Sequence, residues 1–286
     1  MDLDVQRRKA EALRAMHDRT RILVLVNAWD AMSARVIEEA GARAIATSSA
    51  TMAQALGYPD GEAAPRGEIV AAIARIARAV DAPVTADIES GFGATPADVG
   101  ETIRMVIDAG ALGVNLEDAI HERRGELYDL PQALDRLNAA REAAAKAGVP
   151  IVINARTDVF LLGVGPKEGR LDLAISRANA FREAGADCLF VPGVRDGQRI
   201  GEMAKRLNGP LNILAGPGAP PVAELERMGV ARVSVGSWPG LVAMTNARKA
   251  GRELLGAGTY TFIPTDTITY PEANEIMQRR GAKADS

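Results

Sequence analysis

Short apolar segments alternate with longer amphipathic segments along most of the chain. The short segments are rich in Val, Ile and Ala at consecutive positions, which is typical of parallel strands buried on both faces. They predict about eight strands: Ile22–Asn27, Ala44–Ser48, Val84–Glu89, Gly113–Glu117, Ile151–Arg156, Cys188–Val191, Asn212–Ala215 and Arg232–Val235. The longer segments predict the helices between them: Ser33–Ala40, Gly67–Val80, Pro96–Ala109, Pro131–Ala147, Leu171–Ala184, Gly197–Leu207, Pro221–Met228 and Pro239–Leu255.

This alternation, without an intervening linker, favours a closed α/β barrel of the (β/α)8 TIM type over an open sheet. No Gly-x-Gly-x-x-Gly motif follows the first strand, which argues against a dinucleotide-binding sheet. Before that strand, Val5–Met16 predicts an extra helix that could close the N-terminal end of the barrel. We expect one barrel domain over residues 1–256 and a C-terminal extension over 257–286, with a short helix at Pro271–Arg280.

Composition narrows the class of protein. The 286 residues are 47% hydrophobic and 25% charged, as in ordinary globular proteins. The net charge of −3 gives no reason to expect nucleic acid or an anionic membrane as a partner. The one cysteine, Cys188, excludes an internal disulfide and lies in an apolar segment, where we expect a buried, unreactive thiol. No signal peptide or membrane span is visible, so we expect a cytoplasmic protein.

Two carboxylates, Asp87 and Glu89, stand one residue apart at the end of the third predicted strand. In a strand, alternate side chains share a face, so both are expected to point the same way. Two like charges side by side repel each other, and a bound divalent cation would make the pair favourable. The glycines that follow, Gly91 and Gly93, allow the backbone to turn sharply and approach a ligand.

Polar residues also follow the other early strands, and in a barrel all these strand ends meet at the face where active sites are built. They form the segments Asn27–Asp30, Thr47–Ala50, Gly57–Glu62, Asn115–Asp118 and Asn154–Asp158. Hard oxygen ligands predict Mg²⁺ or Mn²⁺. The candidate residues around the metal are Asp60, Asp87, Glu89 and Glu117.

Several residues are candidates for substrate binding and catalysis. Arg156 can anchor a substrate carboxylate with its planar guanidinium, although it could instead pair with Asp158 or Glu117. The segment Ser48–Ala50 (Ser48, Ser49 and Ala50) can offer a hydroxyl and backbone N–H groups to an oxyanion. Asn154 and Trp29 are further substrate-binding candidates, and Trp29 could equally be core.

The two histidines have different expected places. His17, in the N-terminal helix, is expected at the surface. His121, after the fourth strand, is a candidate proton donor, although an isolated exposed His is more often incidental. It stands in the charged loop Ala119–Leu130, which is a candidate lid or, equally, a solvated loop.

Five motifs together resemble the isocitrate lyase and phosphoenolpyruvate mutase superfamily. They are Asn27–Ala34, Gly57–Asp60, Ala86–Gly93, Asn115–Asp118 and Asn154–Asp158. The resemblance implies Mg²⁺ near Asp87, with its waters held by Asp60, Glu89 and Glu117. It implies that Ser48, Ser49 and Ala50 contact the substrate and that Arg156 grips its carboxylate. It also implies a homotetramer, a dimer of dimers, in which a C-terminal helix is swapped between barrels.

The chain departs from that superfamily in its lid. The lyases carry a catalytic cysteine where this chain has His121-Glu122-Arg123-Arg124-Gly125, and a glutamate where it has Val191-Pro192-Gly193. We therefore predict a Mg²⁺-dependent lyase or decarboxylase for a small 2-oxo or 2-hydroxy dicarboxylic acid, with Glu117, His121 and Arg156 as catalytic candidates. One alternative is P–C bond chemistry on a phosphonate such as phosphonopyruvate. Another is an inactive barrel that binds an oxo-acid.

Overall fold

The computed structural model describes residues 2–123 and 125–278. Within them, nine short strands alternate with eleven helices. In chain order these are α1 (Leu3–Ala15), β1 (Leu23–Leu25), β2 (Asn27–Ala28), α2 (Ala31–Glu39), β3 (Ile45–Thr47), α3 (Ser49–Ala55), α4 (Arg66–Ala79), β4 (Val84–Asp87), α5 (Pro96–Asp108), β5 (Gly113–Glu117), α6 (Leu130–Ala147), β6 (Val152–Arg156), α7 (Arg170–Glu183), β7 (Cys188–Phe190), α8 (Gly197–Arg206), β8 (Leu211–Leu214), α9 (Val222–Arg227), β9 (Arg232–Ser234), α10 (Trp238–Gly256) and α11 (Tyr270–Gln278).

All strand pairs are parallel, and the first predicted strand closes the sheet into a barrel. That strand is split at Val26: β1 pairs with β9, and β2 pairs with β3. Asn27 ties the closure together, since its side chain donates to Thr47 O at 2.8 Å and accepts from the Val235 and Gly236 amides. The prediction of a (β/α)8 TIM-type barrel is therefore confirmed, with β1 and β2 together occupying the position of one strand.

Helix α1 closes the N-terminal end of the barrel, as predicted. Its Leu13 is fully buried, and a Cβ added to Gly113 of β5 would lie 3.1 Å from the Leu13 side chain. The prediction that His17 lies at the surface was wrong. His17 is 4% exposed, because the turn after α1 runs under the barrel and its Nδ1 lies 2.9 Å from Leu13 O.

Helix α3 was not predicted, because the seven residues Ser49–Ala55 carry too short an apolar pattern to distinguish a helix from a loop. It starts directly at the end of β3 and turns Ser48, Ser49 and Ala50 toward the barrel axis. Cys188 is buried as expected, and burial raises the pKa of its thiol to about 11.

Of the two C-terminal helices, α10 leaves most of its surface uncovered, whereas α11 packs on the outside of the barrel. Of the nineteen residues of α10, only Gly240 is buried, and Val242, Met244 and Leu255 are exposed. Helix α11 lies against α2, where Arg35 donates to Ile276 O. The predicted end of that helix, at residues 279 and 280, lies outside the described residues. The swap of a C-terminal helix and the domain limit at residue 256 stay predictions. Among the described helices, none is long and apolar enough to cross a membrane.

Candidate active site

Asp87, the last residue of β4, stands at the centre of the polar cluster at the C-terminal end of the barrel. Its Oδ2 accepts from the backbone N and Oγ of Ser49, at 3.1 and 2.7 Å, and its Oδ1 accepts from Asn115 Nδ2 at 3.0 Å. Asn154 Nδ2 in turn donates to Asn115 Oδ1 at 2.9 Å. The first residue of α3 and a residue of β5 therefore fix the orientation of one carboxylate, and β6 supports it indirectly through Asn115.

Glu89 reaches the same site by a different route from the one predicted. Strand β4 ends at Asp87, and Glu89 has a left-handed backbone with φ of 51°, so strand alternation does not explain its direction. Its Oε2 accepts from the Glu62 amide at 2.7 Å, and Glu62 and Phe92 are also left-handed. Such backbone strain in non-glycine residues is concentrated at functional sites. The loop, not the strand, brings the two carboxylates together.

On the opposite side of the site, Glu117 lies between His121 and Arg156. His121 Nε2 lies 3.1 Å from Glu117 Oε1 and 3.4 Å from Glu89 Oε2. Arg156 Nη1 lies 2.6 Å from Glu117 Oε2, and its Nε and Nη2 donate to Asp158 at 2.5 and 2.7 Å. All three nitrogens of Arg156 therefore already contact a carboxylate of this chain.

Burial changes the protonation of this cluster. Burial, followed by the charge of Asp87, raises the pKa of Glu89 to about 8. Burial also raises the pKa of Glu117, although the charge of Arg156 opposes it. His121 loses solvation, but Glu117 and Glu89 still raise its pKa to about 9, which favours the imidazolium. Loss of solvation and the charge of Asp87 raise the pKa of Asp60. The site thus carries an excess of buried acidic groups, which a bound cation would neutralise.

Two adjoining cavities open onto these residues. The inner chamber, of about 170 Å³, descends into the barrel between Ser49, Asp87, Asn212 and Arg232. The outer vestibule, of about 450 Å³, lies toward solvent between Asp60, Glu89, Glu117 and His121. Ser49, Asp60, Arg156 and Leu161 line both cavities, so they form one continuous pocket at the barrel mouth.

Most of the predicted site residues line this pocket, and two do not. Ser48, Ser49, Ala50, Asp60, Asp87 and Arg156 line the inner chamber, and Glu89, Glu117 and His121 line the vestibule. Trp29 is half-buried and packs against the core instead. Asn154 is fully buried and reaches the site only through Asn115. Asp118, the last residue of the Asn115–Asp118 segment, forms a buried ion pair with Arg177 at 2.8 Å.

Sequence reasoning missed three further residues of the pocket. Asn212, Arg232 and Ser234 line the inner chamber from β8 and β9. A signal was present, because Arg232 and Ser234 interrupt an otherwise apolar strand at alternate positions, which places them on one face. Arg136 was also missed: its Nη2 donates to Ser90 O at 2.5 Å and Gly93 O at 2.8 Å, which supports the loop that carries Glu89.

The residues suit a hydrated divalent cation near Asp87. Among residues 2–123 and 125–278, no group of three or more His, Cys, Asp or Glu is arranged to hold a metal ion by itself. Mg²⁺ binds through one or two carboxylates and keeps several waters, so it does not need such a cage. Asp87 would be the direct ligand of such a cation, and Asp60, Glu89 and Glu117 would accept hydrogen bonds from its waters.

The parallel barrel, with its acid cluster at the C-terminal ends of the strands, belongs to the class of TIM-barrel proteins, whose active sites lie at that face. The sequence profile of the family Phosphoenolpyruvate phosphomutase matches residues 13–255. The chain therefore belongs to this family, within the isocitrate lyase and phosphoenolpyruvate mutase superfamily.

Relatives of known sequence and structure agree with this assignment. The chain is 33% identical over 262 residues to an uncharacterized protein of Mycobacterium tuberculosis, covering 89% of this chain and 95% of that one. It is 30% identical to 2-methylisocitrate lyase of Escherichia coli (strain K12), covering 80% and 77%. A crystal structure from Burkholderia cenocepacia J2315, provisionally named a phosphonomutase, is 46% identical with a TM-score of 0.81, covering 85% and 99%.

Proposed function

We propose that this protein is a Mg²⁺-dependent lyase that cleaves a C–C bond of, or decarboxylates, a small 2-oxo or 2-hydroxy dicarboxylic acid. The observation that carries the proposal is the carboxylate of Asp87, held by Ser49 and Asn115 beside three further acids at the mouth of an enclosed pocket. Relatives in the same superfamily include 2-methylisocitrate lyase and, at 29% identity, the oxaloacetate decarboxylase of Pseudomonas paraeruginosa.

A bound Mg²⁺ would act as a Lewis acid that stabilises negative charge developing on the substrate oxygens. Asp87 would hold it directly, and Mn²⁺ would suit the same oxygen ligands. A related structure of phosphonopyruvate hydrolase, 25% identical, contains oxalate and Mg²⁺. The fit of Mg²⁺ to this chain is argued from the chain's own residues. The pKa values of Glu89 and Asp60 are raised, and a bound cation would neutralise the charges of these two acids.

The protein's own groups bind, orient and move protons. Ser48 and Ala50 line the chamber next to Asp87, where a substrate oxyanion would lie. His121, between Glu117 and Glu89, can deliver a proton to the carbanion-like product in place of a lid cysteine. Arg156 holds Glu117 and Asp158 in place, and it binds substrate only through hydrogens that those carboxylates leave free.

A panel of substrates tests this proposal. Purified protein with Mg²⁺ is given oxaloacetate, 2-methylisocitrate, isocitrate, 2,3-dimethylmalate and phosphonopyruvate, and release of pyruvate, glyoxylate or phosphate is measured. We expect turnover of at least one of the four substrates that contain no phosphorus, by C–C cleavage or decarboxylation. Turnover of phosphonopyruvate alone would establish P–C chemistry instead, which the 46% identity to the provisionally named phosphonomutase favours as the second candidate. Oxo-acid binding without any turnover would indicate an inactive barrel.

The variant Asp87→Asn separates the metal site from the rest of the pocket. We expect it to lower Mg²⁺ affinity and kcat/KM by at least about 100-fold, because a direct ligand matters at least as much as an outer-shell one. Asp196→Asn is the matched control, because Asp196 caps α8 at a distance from the pocket and Asn is also a good cap. An Asp87→Asn variant with unchanged Mg²⁺ affinity would contradict the proposal.

A further inference from the structure

Arg232 is a buried cation, and the fold leaves two of its three guanidinium nitrogens without an acceptor among the described residues. It is the first residue of β9, only 2% exposed, and its side chain lines the inner chamber. Its Nε and Nη1 are buried and have no hydrogen-bond partner among the described residues. Burial lowers the pKa of Arg232, while the charge of Asp87 opposes this effect. A guanidinium nevertheless stays protonated in proteins.

The other buried arginines of the described chain are treated differently. Each of them has acceptors from the protein: carboxylates for Arg156 and Arg177, and backbone carbonyls for Arg35 and Arg136. Arg136 also has an unpartnered Nε and Nη1, but its Nη2 donates to two carbonyls. Burying a charge without such partners destabilises the folded state. The charge of Asp87 favours the guanidinium, but no acceptor among the described residues meets its Nε or Nη1, so these two donors are left for a ligand.

The surroundings of Arg232 are suited to an anion. Thr85 also lines the chamber, is 1% exposed, and its Oγ1 has no hydrogen-bond partner. Asn212, which lies opposite Arg232 in the strand register, is joined to Ser234 only by contacts of 3.4 Å. Guanidinium, hydroxyl and amide donors therefore face one small enclosed space, and together they match the oxygens of a carboxylate.

We propose that Arg232 forms the floor of an anion subsite in the inner chamber, which takes the second carboxylate of the substrate. Arg156, the anchor expected from the sequence, already contacts Glu117 and Asp158 with all three nitrogens, whereas Arg232 has free donors. The assignment to substrate rests on the proposed function. The anion subsite itself does not, because it needs neither metal nor turnover.

The Tm of the Arg232→Met variant distinguishes an arginine that binds a ligand from one that stabilises the fold. Arg232→Met replaces a poorly partnered buried charge by an apolar chain of similar length. We expect the Tm of the ligand-free protein to rise by roughly 2 to 4 °C. A structural arginine would give the opposite sign. Arg199→Met, on the exposed face of α8, is the matched control and should leave Tm unchanged.

Binding of acetate to the metal-free protein tests the subsite directly. In buffer with EDTA, acetate should raise the Tm of the wild type and of Arg199→Met by the same amount, since it binds only the folded chamber. We expect Arg232→Met to weaken acetate binding at least about tenfold, and Arg232→Lys to give an intermediate loss. A folded Arg232→Met, checked by circular dichroism, that responds to acetate as the wild type does would overturn the subsite.

A comparison of two 2-oxo acids tests whether the subsite binds a carboxylate of the substrate or only a free anion. Oxaloacetate and pyruvate share the 2-oxo acid end, but only oxaloacetate has a second carboxylate. With Mg²⁺ present, Arg232→Met should raise the Kd of oxaloacetate at least about tenfold and leave that of pyruvate within about twofold. Equal changes for both acids would overturn the substrate assignment. If the wild type binds neither acid, the proposed function fails while the acetate result still decides the subsite.

Discussion

At the residue scale, the pocket contains two arginines in opposite electrostatic situations. Burial works against the charge of Arg156, but Asp158 and Glu117 hold its pKa well above the usual value. Arg232 has no such neighbours in hydrogen-bond range of its Nε and Nη1. Sequence alone favours Arg156 as the substrate anchor, because it follows a strand within a polar motif. The residues that surround each arginine in the barrel decide which guanidinium keeps N–H donors without an acceptor.

The proposed role of His121 as proton donor can be tested with a single variant. The variant His121→Gln removes the cation between Glu89 and Glu117. If His121 is the proton donor, kcat should fall about 100-fold or more while Mg²⁺ affinity changes by no more than a few fold. The measurement is kcat together with Mg²⁺ titration, with Glu122→Gln in the exposed part of the loop as control. A His121→Gln enzyme with wild-type kcat would exclude this role.

Arg136 supports the loop that carries Glu89, and its loss should be visible in stability. Its guanidinium lies 4.3 Å from the centre of the Tyr128 ring and donates to two carbonyls of that loop. We expect Arg136→Met to lower the free energy of unfolding by about 2 kcal/mol, because two acceptors lose a charged donor. Urea unfolding measures this loss, and Arg104→Met on the exposed face of α5 is the control.

At the element scale, α1 and the turn after it close the barrel from below. Leu13 fits against the bare backbone of Gly113, and His17 is buried beyond it. Since a carbonyl only accepts, His17 Nδ1 carries the hydrogen that it shares with Leu13 O, and Nε2 is left without a partner. Burial, with a smaller contribution from Arg232, lowers the pKa of His17 to about 4.

This buried neutral histidine predicts an acid-sensitive fold. The folded pKa lies below the unfolded value of about 6.5, so stability is lost as pH falls from about 6.5 toward 4. At pH 4.5 the cost is about 2.5 kcal/mol relative to pH 7. We expect His17→Gln to lose that much less stability than the wild type on acidification. Urea unfolding at both pH values measures it, and parallel losses in the two proteins would contradict the burial effect.

At the scale of the whole molecule, apolar surface is left open where α10 departs from the barrel. Val24 on the outer face of β1 is 40% exposed, beside a groove of about 380 Å³ that Val36 and Ile37 of α2 also line. Val242 and Leu255 of α10 are 56% and 92% exposed. Exposed patches of this kind mark association surfaces. The swap of a C-terminal helix between barrels, which the resemblance implies, would bring α10 onto the corresponding groove of a second copy of this chain.

The resulting prediction concerns oligomeric state. The wild type should sediment as a homo-oligomer, with a tetramer expected, and Val242→Asp should shift it to smaller species because it buries an unpaired charge. Ala247→Asp, exposed about 140° around the same helix from Val242, adds the same charge away from that face and should leave the assembly intact. A monomeric wild type, measured by analytical ultracentrifugation, would contradict the docking of α10.

The alternation of buried strands and amphipathic helices was readable along the chain, because each apolar run is local and its flanking helices begin and end at local signals. Asp87 and Glu117 were equally readable, because they terminate strands. By itself the sequence therefore determined the barrel, its polar rim and the candidate acids. Tertiary structure decided how Glu89 turns inward to meet Glu62, that Arg156 contacts Glu117 as well as the nearby Asp158, and that Arg232 reaches the chamber. The contacts with Glu62 and Glu117 and the position of Arg232 join parts of the chain that are far apart in sequence, which local patterns do not encode.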